Sequence, residues 1–215
     1  MRKRFQIDAV YVAHRPNRSF WLDRPWYSHG YSLDRGGRPN EQAMVRFAWN
    51  EEGLFVHAEL EDSFVVAHDP RDEQLHFQTG DVFELFVKPL DDDYYWEMYV
   101  TPFGNKSTLF FPRERTGMEV ENILRDHSFH GLNVSAGIID GGWVANMFVP
   151  VQQLTALGAV WGEGCEWSLL CGRYNYNSDA LEDPELSMLP PVSKTNYHLT
   201  EEYAGLRLLP SGRKS

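Results

Sequence analysis

Apolar and polar residues alternate with period two along most of the chain. The alternating stretches are Phe5–Ala13, Gln42–Asn50, Gly53–Glu61, Asp81–Lys88, Tyr94–Thr101, Ser107–Pro112, Leu132–Ile139, Trp143–Val149, Cys165–Asn175 and Gly205–Leu209. They are rich in Val, Phe, Tyr and Trp and are bounded by Gly, Pro, Asn and Asp, which predicts strands. The short polar turns Asn50–Gly53 and Asp140–Gly142 join strong strands and read as hairpins. One short helix is expected over Val151–Leu157, after Pro150. Three longer loops remain: Arg15–Glu41, Asp62–Gly80 and Asn177–Tyr203. Regular short strands with at most one or two short helices predict an all-β fold, an antiparallel β-sandwich of jelly-roll or immunoglobulin-like two-sheet form. No repeat or linker divides the sequence, so residues 1–215 read as a single domain.

One hairpin, GDVFELFVKPLDDDYYWEMYVTPFG from Gly80 to Gly104, breaks the ordinary pattern. With its turn at Leu90–Asp91, Phe83 faces Met98, Leu85 faces Trp96 and Val87 faces Tyr94, an apolar face that belongs to the core. The other face pairs Val82 with Tyr99, Glu84 with Glu97 and Phe86 with Tyr95. Like charges directly opposed on a sheet are destabilising, and a register shifted by one residue pair separates the two acids but keeps them on one face. An acidic pair among aromatics predicts a site for hydroxyls or a cation. The plain alternative is a partly exposed face whose acids meet Arg46 or Arg173. A retaining glycosidase also needs two carboxylates about 5 Å apart, but these must straddle a bond with opposed pKa values. Two acids side by side on one sheet suit that poorly.

Composition narrows the partners. The chain has 215 residues and a net charge of −11, with 7 Trp, 10 Tyr and 13 Phe. A negative surface repels phosphate backbones and anionic lipids, which argues against nucleic-acid and membrane partners. No apolar run approaches the ~18 residues of a membrane span, and MRKR is followed by no apolar leader segment. The sequence as written is therefore expected in the cytoplasm, or outside the cell or in the periplasm if a leader has been removed. Cys165 and Cys171 fall in one strand, roughly 20 Å apart at the usual rise, too far for a mutual disulfide.

Five segments in order resemble the family 9 carbohydrate-binding modules: FWLDRPW, VRFAWNEEGLFVHAELEDS, the hairpin above, GGWVANMFVPVQQL and NYHLTEEYAGLRL. The resemblance runs from about Trp21 to Leu208. It implies a non-catalytic sugar-binding protein with aromatic platforms and charged groups on a concave sheet face. A mono- or oligosaccharide is the implied partner. Glu84 falls where the family keeps a sugar-contacting acid. Glu97 falls where a sugar-binding member has a basic group, so the sequence departs from the family there. One platform maps to Tyr197 or His198 and the other to the neighbourhood of Phe77 and Gln78, while Arg173 and Asn175 end a matching strand. With Tyr95 and Tyr99 from the hairpin face, these residues form the expected ligand-binding set.

Two other readings stay open beside this one. One is a structural sandwich with a degenerate site. The other is a haem-binding or glycoside-processing domain on the same fold. Haem in related sandwiches is held by Met with His or Lys, for which Met44, Met98 and His198 are available, but Met98 is expected on the core face. No cofactor is expected. Structural calcium, which family members carry, is left open through Asp62, Asp81 or the turn Asp91–Asp93. His127 and His130 read as surface residues more readily than as a metal pair.

Overall fold

The structure is a computed structural model that describes residues 4–30, 36–113, 117, 119–127 and 131–212. The fold is mostly β. Its strands are β1 (Gln6–Tyr11), β2 (Tyr27–His29), β3 (Ala43–Asn50), β4 (Gly53–Glu61), β5 (Val82–Pro89), β6 (Tyr95–Val100), β7 (Lys106–Phe111), β8 (Asn133–Ile139), β9 (Gly142–Pro150), β10 (Glu166–Asn175), β11 (Glu185–Leu189) and β12 (Ala204–Leu208). Every expected strand is present with its ends within two residues. β2 and β11 are additional and lie in stretches expected to be loops. Among the described residues three short helices occur rather than one or two: α1 (Arg18–Leu22), α2 (Val120–His127) and α3 (Val151–Leu154). α3 is shorter than the expected helix. No helix among the described residues is long and apolar enough to cross a membrane.

The strands pair in the order β7-β6-β5-β10-β12-β1-β3-β4-β9-β8, with β11 added to β10 and β2 to β3. The sheet curls until β6 comes against β8, which makes it nearly a barrel. Wholly antiparallel pairing does not hold. Gln6–Ala9 of β1 run parallel to β12, and Val10 and Tyr11 run parallel to β3. β1 is thus the joint between the two halves of the sheet, and a strand that enters from the chain's start between β12 and β3 meets both in the same direction.

The main core fills the inside of the curl. Phe47, Val56 and Trp143 from one half meet Phe83, Trp96 and Leu169 from the other. Burying a large apolar side chain contributes about 1.5–3 kcal/mol, so this interior dominates the stability. A second apolar cluster lies outside the sheet. There Val82, Phe86, Tyr95 and Tyr99 are covered by Ile123 of α2 and by Tyr197 and Tyr203 of the long loop after β11.

The hairpin of β5 and β6 keeps its expected faces but not its register. Phe83 pairs with Val100, Glu84 with Tyr99, Leu85 with Met98, Phe86 with Glu97 and Val87 with Trp96. The turn takes the five residues from Leu90 to Tyr94, not two, and this slides the partner strand by two positions. A slide of two preserves the side of every residue. Phe83, Leu85, Val87, Trp96 and Met98 therefore stay in the main core. Glu84 and Glu97 become diagonal neighbours on the outer face.

Candidate functional site

The outer face of β5 and β6 is not an open groove. Glu84 is 2% exposed, Glu97 3%, and Tyr95 and Tyr99 are fully buried. Loop 62–80 brings Phe77 over the face on a 3₁₀ turn at His76–Gln78, where the Tyr176 hydroxyl donates to the Phe77 carbonyl at 2.6 Å. The loop after β11 brings Tyr197 and His198 over the other side. Between them remains a cavity of about 220 Å³, lined by Phe77, Glu84, Glu97, Tyr99, Tyr197 and His198 of the expected residues. Phe86, Val120, Tyr174 and Leu186 complete its walls, and Thr195 and Asn196 stand at its exposed rim.

Each covering residue has a reason to stay in place. The Tyr197 hydroxyl donates toward two backbone carbonyls, Arg173 at 3.1 Å and Ser187 at 3.0 Å. The Tyr203 hydroxyl donates to the Tyr197 carbonyl at 2.7 Å. The Tyr197 ring lies on Gly172, where a Cβ would come within 2.6 Å of it. A glycine inside a strand marks such a close approach. His198 Nδ1 is 2.8 Å from the Tyr95 hydroxyl, and its Nε2 is 3.9 Å from Glu97 Oε2. Tyr95 thus stands beneath the site and holds His198.

The acids differ in their settings. The Tyr99 hydroxyl donates to Glu97 Oε1. Glu84 Oε1 is buried with no hydrogen-bond partner among the described residues. Burial, and then the neighbouring Glu97, hold the Glu84 carboxyl well above the usual carboxylate range. Burial likewise raises the Tyr99 phenol, with Glu97 and Glu84 adding to it. The site presents carboxyls and a phenol at its floor, all able to hydrogen-bond with a hydroxyl or amine.

Arg173 and Asn175 are not brought to this cavity. Their positions in β10 have the parity of Leu169 and Cys171, which face the main core. Arg173 Nη2 donates to the Glu61 carbonyl at 2.6 Å, to Asn175 Oδ1 at 2.6 Å and to Asp62 Oδ2 at 3.3 Å. Asn175 Nδ2 donates to Glu41 Oε2 at 2.6 Å. Asp81 completes the network by accepting the amides of Val66 at 2.6 Å and Tyr176 at 2.7 Å. Burial and Asp62 push Asp81 up to about 8, while its hydrogen bonds and the Arg173 charge oppose the rise. This network ties loop 62–80 to the sheet.

The remaining candidates separate. Asp62 and Asp81 are engaged by backbone amides and the guanidinium, and Asp91–Asp93 lie in the hairpin turn. Among the described residues no group of three or more His, Cys, Asp or Glu side chains is arranged to hold a metal ion. The side chain of His127 and all of His130 lie outside the described residues. Met98 is on the core face, on the opposite side of the sheet from His198. Both cysteines are free, and burial pushes the Cys171 thiol up. Sequence reasoning missed Phe86, Val120, Tyr174, Leu186, Thr195 and Asn196 as lining residues. Tyr174 and Phe86 share the parity of the acidic face, which was the available signal.

No family profile and no curated protein sequence matches the chain. Solved structures do. A candidate carbohydrate-binding protein of Bacteroides uniformis superposes with a TM-score of 0.73 at 14% identity, over 95% of this chain and 99% of its own. A family 9 carbohydrate-binding module of Caldicellulosiruptor kristjanssonii, solved with glucose, superposes with a TM-score of 0.70 at 12% identity, over 98% of this chain and 99% of its own. The fold is that of the family 9 carbohydrate-binding modules. A family 9 module of the same organism solved with cellotriose gives a TM-score of 0.70 at 12% identity, over 98% of this chain and 95% of its own. At such identities the likeness to family 9 lies in the course of the backbone.

Proposed function

We propose that this chain is a non-catalytic carbohydrate-binding protein that takes one sugar ring in the cavity over β5 and β6. The ring is free or ends an oligosaccharide. In this reading the curled sheet serves as a two-layer sandwich, with β5, β6 and β10 carrying the site. The observation that carries the reading is the meeting of Glu84 and Glu97 with Phe77, Tyr99, Tyr197 and His198 around one cavity. They come from two strands and two loops distant in sequence. The family 9 fold, solved with glucose and with cellotriose in modules of Caldicellulosiruptor kristjanssonii, supports it.

The chemistry suits a sugar. A pyranose offers an apolar C–H face to aromatic rings and a rim of hydroxyls to carboxyls. Each charge-assisted hydrogen bond contributes about 1.5–3 kcal/mol, so two with one stacking ring give micromolar to millimolar binding. Titration calorimetry with glucose, cellobiose and cellotriose tests the reading. Binding heat that disappears in Glu84→Ala and Phe77→Ala is expected. No heat with any of them, or heat untouched by Glu84→Ala, overturns it.

The burial of the face favours a second reading, a structural sandwich whose site is closed. It expects no sugar heat at all, together with a higher melting temperature when Glu84 is made apolar.

A further inference from the structure

The floor of the cavity holds an acid that the fold does not satisfy. Glu84 is 2% exposed, and its Oε1 finds no hydrogen-bond donor among the described residues. Leaving a buried acceptor unmade costs about 1–3 kcal/mol. Glu97 lies diagonally across on β6, so two carboxyls share the same small space. Around them stand the rings of Phe77, Tyr99, Tyr174 and Tyr197, and no lysine or arginine is among the described lining residues. Hydroxyls alone gain from donors as well as acceptors, but the donors Thr195 and Asn196 stand at the exposed rim and none of the described donors reaches Glu84 Oε1. Carboxyls beside aromatic rings suit N–H donors on a cation, which the acids accept and the ring faces attract.

The geometry points to a monosaccharide bearing a protonated amine, an aminodeoxyhexose, with the ammonium donating to Glu84 Oε1 beside Glu97 and the ring carbons against the aromatic side chains. This inference rests on the proposed sugar site and names the class of its ligand. The volume of about 220 Å³ limits the buried part to one ring. The exposed Thr195 and Asn196 at the rim leave any further residues of a chain in solvent.

Calorimetry near neutral pH with glucosamine, glucose, N-acetylglucosamine and methylammonium, on the wild type and on Glu84→Gln, decides it. Melting curves establish that both proteins are folded. Glucosamine is expected to bind at least about tenfold more tightly than glucose or N-acetylglucosamine, and Glu84→Gln is expected to lose that preference. Equal affinity for glucose and glucosamine overturns the amine inference and leaves the sugar site standing. A preference that survives in Glu84→Gln overturns the part assigned to Glu84. Methylammonium binding as tightly as glucosamine, or no heat with any sugar, overturns both the inference and the sugar site. If Glu84→Gln melts below the titration temperature, the comparison of ligands on the wild type decides by itself.

Discussion

The ring of Tyr197 rests on the bare backbone of Gly172, so closely that a Cβ on residue 172 would come within 2.6 Å of it. The long loop after β11 reaches the sheet through this contact, and the wall of the cavity is set by it. Gly172→Ala forces the ring off or the strand down. Overpacking of this kind costs about 1–3 kcal/mol, and each kcal/mol shifts the melting temperature of a protein this size by roughly 2–4 °C. Thermal unfolding of Gly172→Ala should show that loss. Sugar binding should weaken with it, because Tyr197 and the adjacent His198 move together.

Glu84 makes stability depend on pH in a predictable direction. Its folded pKa is raised above the ordinary 4.5. Its contribution to stability is thus fully present below about 4.5 and is lost as the pH climbs toward the folded value. Glu84→Gln removes that loss. Denaturant titrations at pH 4 and pH 8 should find the variant more stable than the wild type at pH 8, with the gap shrinking toward pH 4. A gap that grows on acidification contradicts the setting described for Glu84.

Arg173 is a structural cation. It is fully buried and donates to Asp62, Asn175 and the Glu61 carbonyl. Arg173→Leu leaves Asp62 and Asp81 buried without their counter-charge, and breaking a buried pair in this way costs about 3–5 kcal/mol. The expected phenotype is a large drop in denaturation midpoint. A variant of unchanged stability that has lost only sugar binding would place the guanidinium in the site after all.

The cavity's size sets a limit on chain length. One ring fills it, so cellotriose should bind no more than about tenfold more tightly than glucose. Calorimetry with the two sugars measures the ratio. Affinity that climbs steeply with each added ring points to an extended groove elsewhere on the surface.

The strands were legible because the two faces of the sheet impose period two on long segments such as Gly53–Glu61 and Cys165–Asn175. β2 and β11 were not, since three and five residues carry too little pattern and their pairing depends on neighbours far along the chain. The faces of the β5–β6 hairpin were legible from alternation alone. Its register was not, because the acidic run in LDDDY accommodates a turn of two residues or of five. The slide of two positions kept Glu84, Glu97, Tyr95 and Tyr99 on one side, so the acidic face survived the error. For Arg173 the parity of Leu169 and Cys171 pointed inward, against the expectation that a guanidinium faces out. What overrides that expectation is Asp62 and Asp81, which reach it from the ends of loop 62–80. The covering of the face by Tyr197 and Tyr203 had no local signature.

The joint made by β1 bears on how the molecule assembles. β12 lies between β10 and β1, and it follows every other strand of the sheet in sequence. Until it docks, β10 and β1 each present an unpaired edge in the middle of the sheet, not at its rim. Exposed edges invite pairing with other chains, and contacts between residues about 199 apart, as between Gln6 and Gly205, slow folding through loop closure. The five residues Ala204–Leu208 are therefore the ones that turn two separate half-sheets into one.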